Sequence, residues 1–146
     1  MDQSKRYMEK QDYILCECEL EPLEKFVASL EEKFEVKIAK APSICMTMIQ
    51  AEDSVEFQEF YLGEALTTEC EVMIHGHRGY GICLGDEPVR SYCIAFIDAL
   101  TQLPGADLQS VEAFLNQQGE LIETAAQLEY NQVLRTKVDF KLMEQE

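Results

Sequence analysis

The two histidines of the chain, His75 and His77, stand in ECEVMIHGHRGYGICLG, Glu69 to Gly85, beside Glu71, Cys70, Cys83 and four of the seven glycines. Three kinds of chemistry could draw on these residue types. The first is metal binding: in an unbroken strand His75 and His77, spaced i, i+2, would share one face with Glu71. A zinc site needs three or four converging ligands, usually supplied by tight cysteine or histidine pairs. Gly76 and Gly79 instead predict a turn in that place, and the chain holds no third histidine and no C-x-x-C pair. A plain hairpin tip is the expectation. The second is thiol catalysis, with Cys83 as nucleophile and His75 or His77 as base, which lacks the third group that orients such a pair. The third is phosphate binding by Gly76, Gly79 and Gly81. A nucleotide loop needs its glycines between a strand and a helix start, and these run on into another strand, so turn geometry and close packing are their expected uses.

Elsewhere the signal is weaker. Cys16 and Cys18 of LCECEL would point about 200° apart on a helix, which argues against joint ligation. Cys45, Cys70 and Cys93 read as small apolar residues. The acidic pairs Glu31–Glu32 and Asp86–Glu87 read as solvated charge or helix caps, although paired carboxylates are able to do acid–base work. No catalytic, cofactor-binding or metal-binding residue is therefore assigned from residue chemistry. The rival reading is a self-sufficient metal- or thiol-dependent enzyme centred on His75, His77, Glu71 and Cys83.

The elements that would position these residues read as one α+β domain over residues 1–146. EPLEKFVASLEEKF places Leu23, Phe26, Val27 and Leu30 at helical spacing, with Glu19, Glu21 and Glu24 near its start where the helix dipole favours them. A second helix is expected around Lys5 to Cys16. Alternation then predicts strands at Val36 to Lys40 and Ile44 to Gln50, separated by APS at Ala41 to Ser43, followed by VEFQEFYLGE, Leu66 to Ile74, and Tyr80 to Gly85. Short strands with tight turns predict an antiparallel meander of about four to five strands, covered on its apolar face by the N-terminal and C-terminal helices. Helix returns with Pro88 in the first turn, Asp86 or Glu87 as cap, and a stripe of Val89, Cys93, Phe96, Ile97 and Leu100. Pro104 and Gly105 end it. After Asp107, a second cap candidate, Val111, Phe114, Leu115, Leu121, Ile122, Ala125 and Leu128 mark the face of a last run. Gly119 costs that run about 1 kcal/mol and predicts a weak middle or two helices.

Composition narrows the partners. With 28 acidic against 12 basic residues, the formal charge of -16 repels phosphate backbones and anionic lipid, which speaks against nucleic acid and membrane. A basic protein partner or solubility alone would explain it. MDQSKRYMEKQ lacks the apolar centre of a secretory signal, and a cytoplasmic location with reduced thiols is expected. The closing YNQVLRTKVDFKLMEQE alternates Lys137, Asp139 and Lys141 with Val138, Phe140, Leu142 and, beyond them, Met143. An alternating segment at the end of a chain must be tied down by something. It is either an edge strand of its own sheet or a segment that adds to a partner, and Lys137, Val138, Phe140, Leu142 and Met143 are the candidate partner-interface residues.

Taken together, FYLGEALTTECEV (Phe60, Gly63, Glu64, Ala65, Thr68, Val72), GYGICLG (Gly79, Tyr80, Gly85), AFIDAL (Ala95 to Leu100) and KVDFKLM (Lys137 to Met143) follow one another in an order and spacing that resemble the PhnG family, a subunit of the bacterial carbon–phosphorus lyase core complex. The resemblance covers most of the chain from about Val36. It implies an accessory subunit that acts with PhnH-, PhnI- and PhnJ-type subunits and the PhnL-type protein. Their joint step moves the ribose triphosphate of ATP onto an alkylphosphonate with release of adenine, the α-D-ribose 1-methylphosphonate 5-triphosphate synthase step. The resemblance also implies that the nucleosidase chemistry belongs to the PhnI-type subunit. Radical cleavage, with an iron–sulfur cluster and S-adenosylmethionine, then belongs to the PhnJ-type subunit, so this chain is expected to bind no cofactor. The chain departs from the family's pattern at Glu69, where a basic residue is common, at Lys137, usually arginine, and at Leu142, usually threonine.

Overall fold

The structure, a computed structural model, describes residues 7–105 and 108–138. The chain runs α1 (Gln11–Glu17), α2 (Leu20–Glu31), β1 (Val36–Glu52), β2 (Glu59–Ile74), β3 (His77–Leu84), α3 (Pro88–Thr101) and α4 (Leu108–Arg135), with residues 7–9 also helical. Among the described residues the sheet is open and antiparallel, in the order β1-β2-β3.

The sheet thus has three strands where alternation predicts four to five. The expected breaks are absorbed within long strands. At Ala41 to Ser43 the β1–β2 register shifts twice, between Ile38 and Lys40 and between Lys40 and Ser43, and β1 continues. Bulges and an edge position are where a strand tolerates proline, and Pro42 meets both conditions. A third shift between Ile49 and Gln50 lets the same two strands run on to the Glu52–Glu59 pair.

Of the helices that flank the sheet in sequence, α3, the first to follow it, lies directly on β2 and β3. Gly79 and Gly81 alternate on one face of β3, and Ser91, Ala95 and Ala99 recur every four residues on α3, so backbone meets backbone with no room for a Cβ at either glycine. A helix seated this deeply must be apolar nearly all round: Cys93, Ile94, Phe96, Ile97 and Leu100 of α3 are buried on its other sides. The remaining helices supply the counter-surface through Ile14 and Leu15 of α1, Leu23, Val27 and Leu30 of α2, and Val111 and Leu115 of α4. Phe26 and Phe114 stack at a centroid distance of 4.3 Å and join α2 to α4.

One buried cation locks the N-terminal layer to α3. Arg90 Nη1 donates to the carbonyls of Leu15 at 2.9 Å and Cys18 at 2.7 Å, and Nε donates to Glu87 Oε2 at 3.1 Å. The C-terminal carbonyls of a short helix, otherwise orphaned, are met by a guanidinium from across the core. Glu87 occupies the N-cap of α3 as predicted, without a side-chain cap bond; its carboxylate serves Arg90, and its N–H donates to Thr68 Oγ1 at 3.0 Å.

The final run is one helix, not two. Gly119 is buried where the Tyr7 ring packs, and a Cβ there would lie 2.5 Å from ring carbons, so the residue serves packing within a continuous helix. Of the predicted face, Val111, Phe114 and Leu115 are buried, whereas Leu121 and Leu128 are exposed, because α4 runs past the core. Asp107 lies outside the described residues, as do Asp139, Phe140, Lys141, Leu142 and Met143 of the closing segment. Lys137 and Val138 follow α4 as exposed residues outside any strand.

Candidate functional site

The glycine- and histidine-bearing stretch is a tight hairpin. Ile74 pairs with His77, which leaves His75 and Gly76 as a two-residue loop, both with positive φ (48° and 80°). That is the type I′ geometry, whose twist matches that of the flanking strands. The turn destroys the shared face that an unbroken strand would give. Residues paired across an antiparallel sheet share a face, so His77, opposite Ile74, lies on the side covered by α3. Glu71, opposite Tyr80, lies on the other. His75 packs edge-on to Phe34, at a centroid distance of 6.1 Å. Among the described residues no group of three or more His, Cys, Asp or Glu side chains is placed to hold a metal ion.

Cys83 is separated from His77 by six residues of continuous strand, about 20 Å at 3.3 Å per residue, which puts the histidine out of reach as its base. The thiol is buried, donates to the Glu87 carbonyl at 3.7 Å, and is pushed up to about 11 by burial and then by the Glu87 charge. Burial likewise pushes Cys93 up to about 12 and raises Cys16, Cys18 and Cys70. These are neutral thiols with poor nucleophilicity.

The face of the sheet away from α3 carries a polar cluster that sequence reading did not assemble. Glu69 accepts from Lys40 Nζ at 2.8 Å and from Tyr80 Oη at 2.6 Å. Those two donors hold its carboxyl down at about 2, while burial and the Glu69 carboxylate raise the Tyr80 phenol to about 12. The Glu69 charge is therefore matched within the chain by Lys40. Every member holds one fixed charge state near neutrality, so the cluster supplies rigidity rather than a proton donor or acceptor poised near pH 7.

The outer edge of β3 is blocked by side chains. Tyr80 N–H donates to Asp98 Oδ2 at 2.9 Å, Gln102 Nε2 donates to the Arg78 carbonyl at 3.0 Å, and Cys16 Sγ donates to the Ile82 carbonyl at 3.6 Å. The cleft between α1 and β3, about 430 Å³ and lined by Asp12, Tyr13, Cys16, Tyr80, Ile82 and Asp98 among others, has one of its two carboxylates, Asp98, engaged by the Tyr80 N–H.

The outer half of the β1–β2 hairpin is different in kind. No residue from 41 to 66 is buried, although strand pairing runs through to Glu52 and Glu59. From Ile44 to Glu52 this is about 25 Å of two-stranded ribbon reaching beyond the helical layer. Ile44, Met46 and Met48 are more than half open on one face; Phe60, Tyr61 and Leu62 open to both. At the tip, Asp53 orders the turn. Its side chain accepts from Val55 N–H at 3.1 Å and Glu56 N–H at 3.4 Å, its carbonyl from Phe57 N–H at 2.9 Å, and its own N–H donates to the Gln58 carbonyl at 2.9 Å. Phe57 takes a left-handed φ of 56°, and Val55 and Phe57 are held out 80% and 72% exposed. Sequence reading found these strands but missed the arm. The available signal was the consecutive Phe60, Tyr61 and Leu62, since a strand apolar at successive positions has no wet face to offer.

Compared with known proteins, the chain matches over residues 9–145 the family model described as phosphonate metabolism protein PhnG. No curated protein matches it.

Proposed function

The chain belongs to the PhnG family of phosphonate metabolism proteins, and from that premise we propose that it is a non-catalytic subunit of the carbon–phosphorus lyase core complex. In this reading it assembles with PhnH-, PhnI- and PhnJ-type subunits and acts with the PhnL-type protein in transferring the ribose triphosphate of ATP to an alkylphosphonate. ATP, the iron–sulfur cluster and S-adenosylmethionine are handled by the partner subunits, in the cytoplasm, and this chain binds none of them.

The observation that carries the proposal is the projecting arm. A folded domain that leaves a long, apolar, strand-paired ribbon in water has a surface suited to a partner. Two further features support it. His77 and Glu71 lie on opposite faces and Cys83 lies beyond reach of His77, so the residues of the rival enzyme do not converge. No helix among the described residues is long and apolar enough to cross a membrane.

The test is co-expression with the PhnH-, PhnI- and PhnJ-type subunits of the same host, one of them tagged. Recovery of this chain in a fixed ratio to the others is the expected result. Recovery of the others as a complete assembly lacking this chain would refute the proposal.

A further inference from the structure

The subunit reading leaves open which surface docks and what it meets. Building on that reading, we propose that the β1–β2 arm, residues 44–66, is the docking element, and that its occupant is a groove on another protein with an apolar floor and a rim of Lys or Arg side chains. The floor follows from the exposed side chains. Ile44, Met46 and Met48 along β1, Phe60, Tyr61 and Leu62 along β2, and Val55 and Phe57 at the tip together expose on the order of 1,000 Å², summed over both faces and the tip. That suffices for one side of a standard protein interface, about 800 Å² per partner. Large, open apolar side chains on a strand-paired backbone are preorganised anchors, which lowers the ordering cost of binding.

The rim follows from the charge pattern. Between Lys40 and Arg78 the chain holds no lysine or arginine, while Glu52, Asp53, Glu56, Glu59 and Glu64 lie on the arm itself. No cation on the arm compensates them. An apolar partner surface bearing carboxylates would be repelled; one flanked by basic residues would be steered in and held.

The same pattern decides against a second copy of this chain. Among the described residues side chains occupy the outer edge of β3 and β1 is the open edge of the sheet, through which two arms could in principle pair. Each copy carries a formal charge of -16, and like charge on this scale opposes self-association. The exposed end of α4 competes less well as the charge-selective element, since Glu129 is offset there by Arg135 and Lys137.

The experiment repeats the tagged co-expression with two variants of the full chain, Val55→Ser/Phe57→Ser and Glu52→Lys/Glu56→Lys/Glu59→Lys. Light scattering of each chain alone and its thermal midpoint serve as controls. Wild type is expected to co-purify as a monomer joining the assembly. The tip variant should lower its recovery at least tenfold, and the lysine variant should do so most strongly at low salt, with midpoints unchanged because these side chains touch no core residue. If a midpoint falls, Met46→Ser/Met48→Ser replaces that variant and the same loss is expected. Recovery of the variants equal to wild type would overturn the arm as docking element while leaving the subunit reading standing. A wild-type dimer that the tip variant converts to monomer would replace the basic partner with a second copy and so overturn the proposal. Failure of wild type itself to join the assembly would remove the subunit reading and this inference together.

Discussion

Gly79 of β3 packs its bare Cα against the Ala95 carbonyl of α3, leaving no space for a methyl group at that position. Gly81 stands in the same relation to Ser91. Both obstacles are helix backbone, which has nowhere to yield without lifting α3 from the sheet. Gly79→Ala and Gly81→Ala should each destabilise the fold by about 1–3 kcal/mol, the usual cost of overpacking, read by urea unfolding. Gly63→Ala is the internal control, because a Cβ there meets nothing within 4 Å; it should be neutral or slightly stabilising. Equal effects at all three positions would contradict the packing account.

Arg90 makes a separate prediction. Arg90→Met keeps an apolar stem but leaves the Leu15 and Cys18 carbonyls without their donor and Glu87 without its partner. Losing a charged donor to buried acceptors costs about 2–4 kcal/mol. Arg90→Lys should recover only part of it, since one ammonium does not reproduce the forked guanidinium. Hydrogen exchange should show the loss first in α1. A Met variant as stable as wild type would show that α1 is held by other contacts.

Thiol reactivity tests the assignment of the cysteines as packing residues. Cys45 is partly open, whereas Cys18, Cys70, Cys83 and Cys93 are buried. Cys83 and Cys93 are also pushed up to about 11 and 12. Iodoacetamide at pH 7.5, followed by peptide mass spectrometry, should modify Cys83 and Cys93 at least tenfold more slowly than Cys45, because thiolate falls about tenfold for each step of one in pKa. A Cys83 that labels fastest would reopen the thiol-enzyme reading.

The Glu69 cluster gives a pH signature. Its folded pKa, about 2, lies below the ordinary 4.5 because Lys40 and Tyr80 favour the charged carboxylate. A lowered carboxyl pKa contributes stability that is fully present above 4.5 and is lost as pH falls towards 2. The stability gap between wild type and Glu69→Gln should therefore be constant from pH 7 to 5, shrink below 4.5 and vanish near 2. Using the difference cancels the titration of the many other carboxylates. A gap that stays level from pH 6 to 2 would mean that Glu69 is not held as described.

Much of the fold was legible because periodic burial leaves its mark on sequence. Leu23, Val27 and Leu30 announced α2, Pro88 and the stripe through Leu100 announced α3, and Gly76 beside His75 announced the hairpin turn. Strand count was less legible, since APS reads as a break unless one knows that Pro42 lies on an edge strand with bulges beside it. Gly119 reads as a weak point until the Tyr7 ring is seen to occupy its missing Cβ. The arm left the faintest mark. Periodicity detects a residue pattern with one dry and one wet face, and a ribbon apolar on both faces, such as that around Phe60 to Leu62, has no such contrast.

The most direct measurement is adenine release from ATP in the presence of an alkylphosphonate, assayed with the purified chain alone, with the PhnH-, PhnI-, PhnJ- and PhnL-type proteins alone, and with all combined. The account predicts no turnover by the chain alone, little by the others without it, and restored turnover when they are joined. Turnover by the solitary chain, abolished by His75→Ala/His77→Ala, would contradict it.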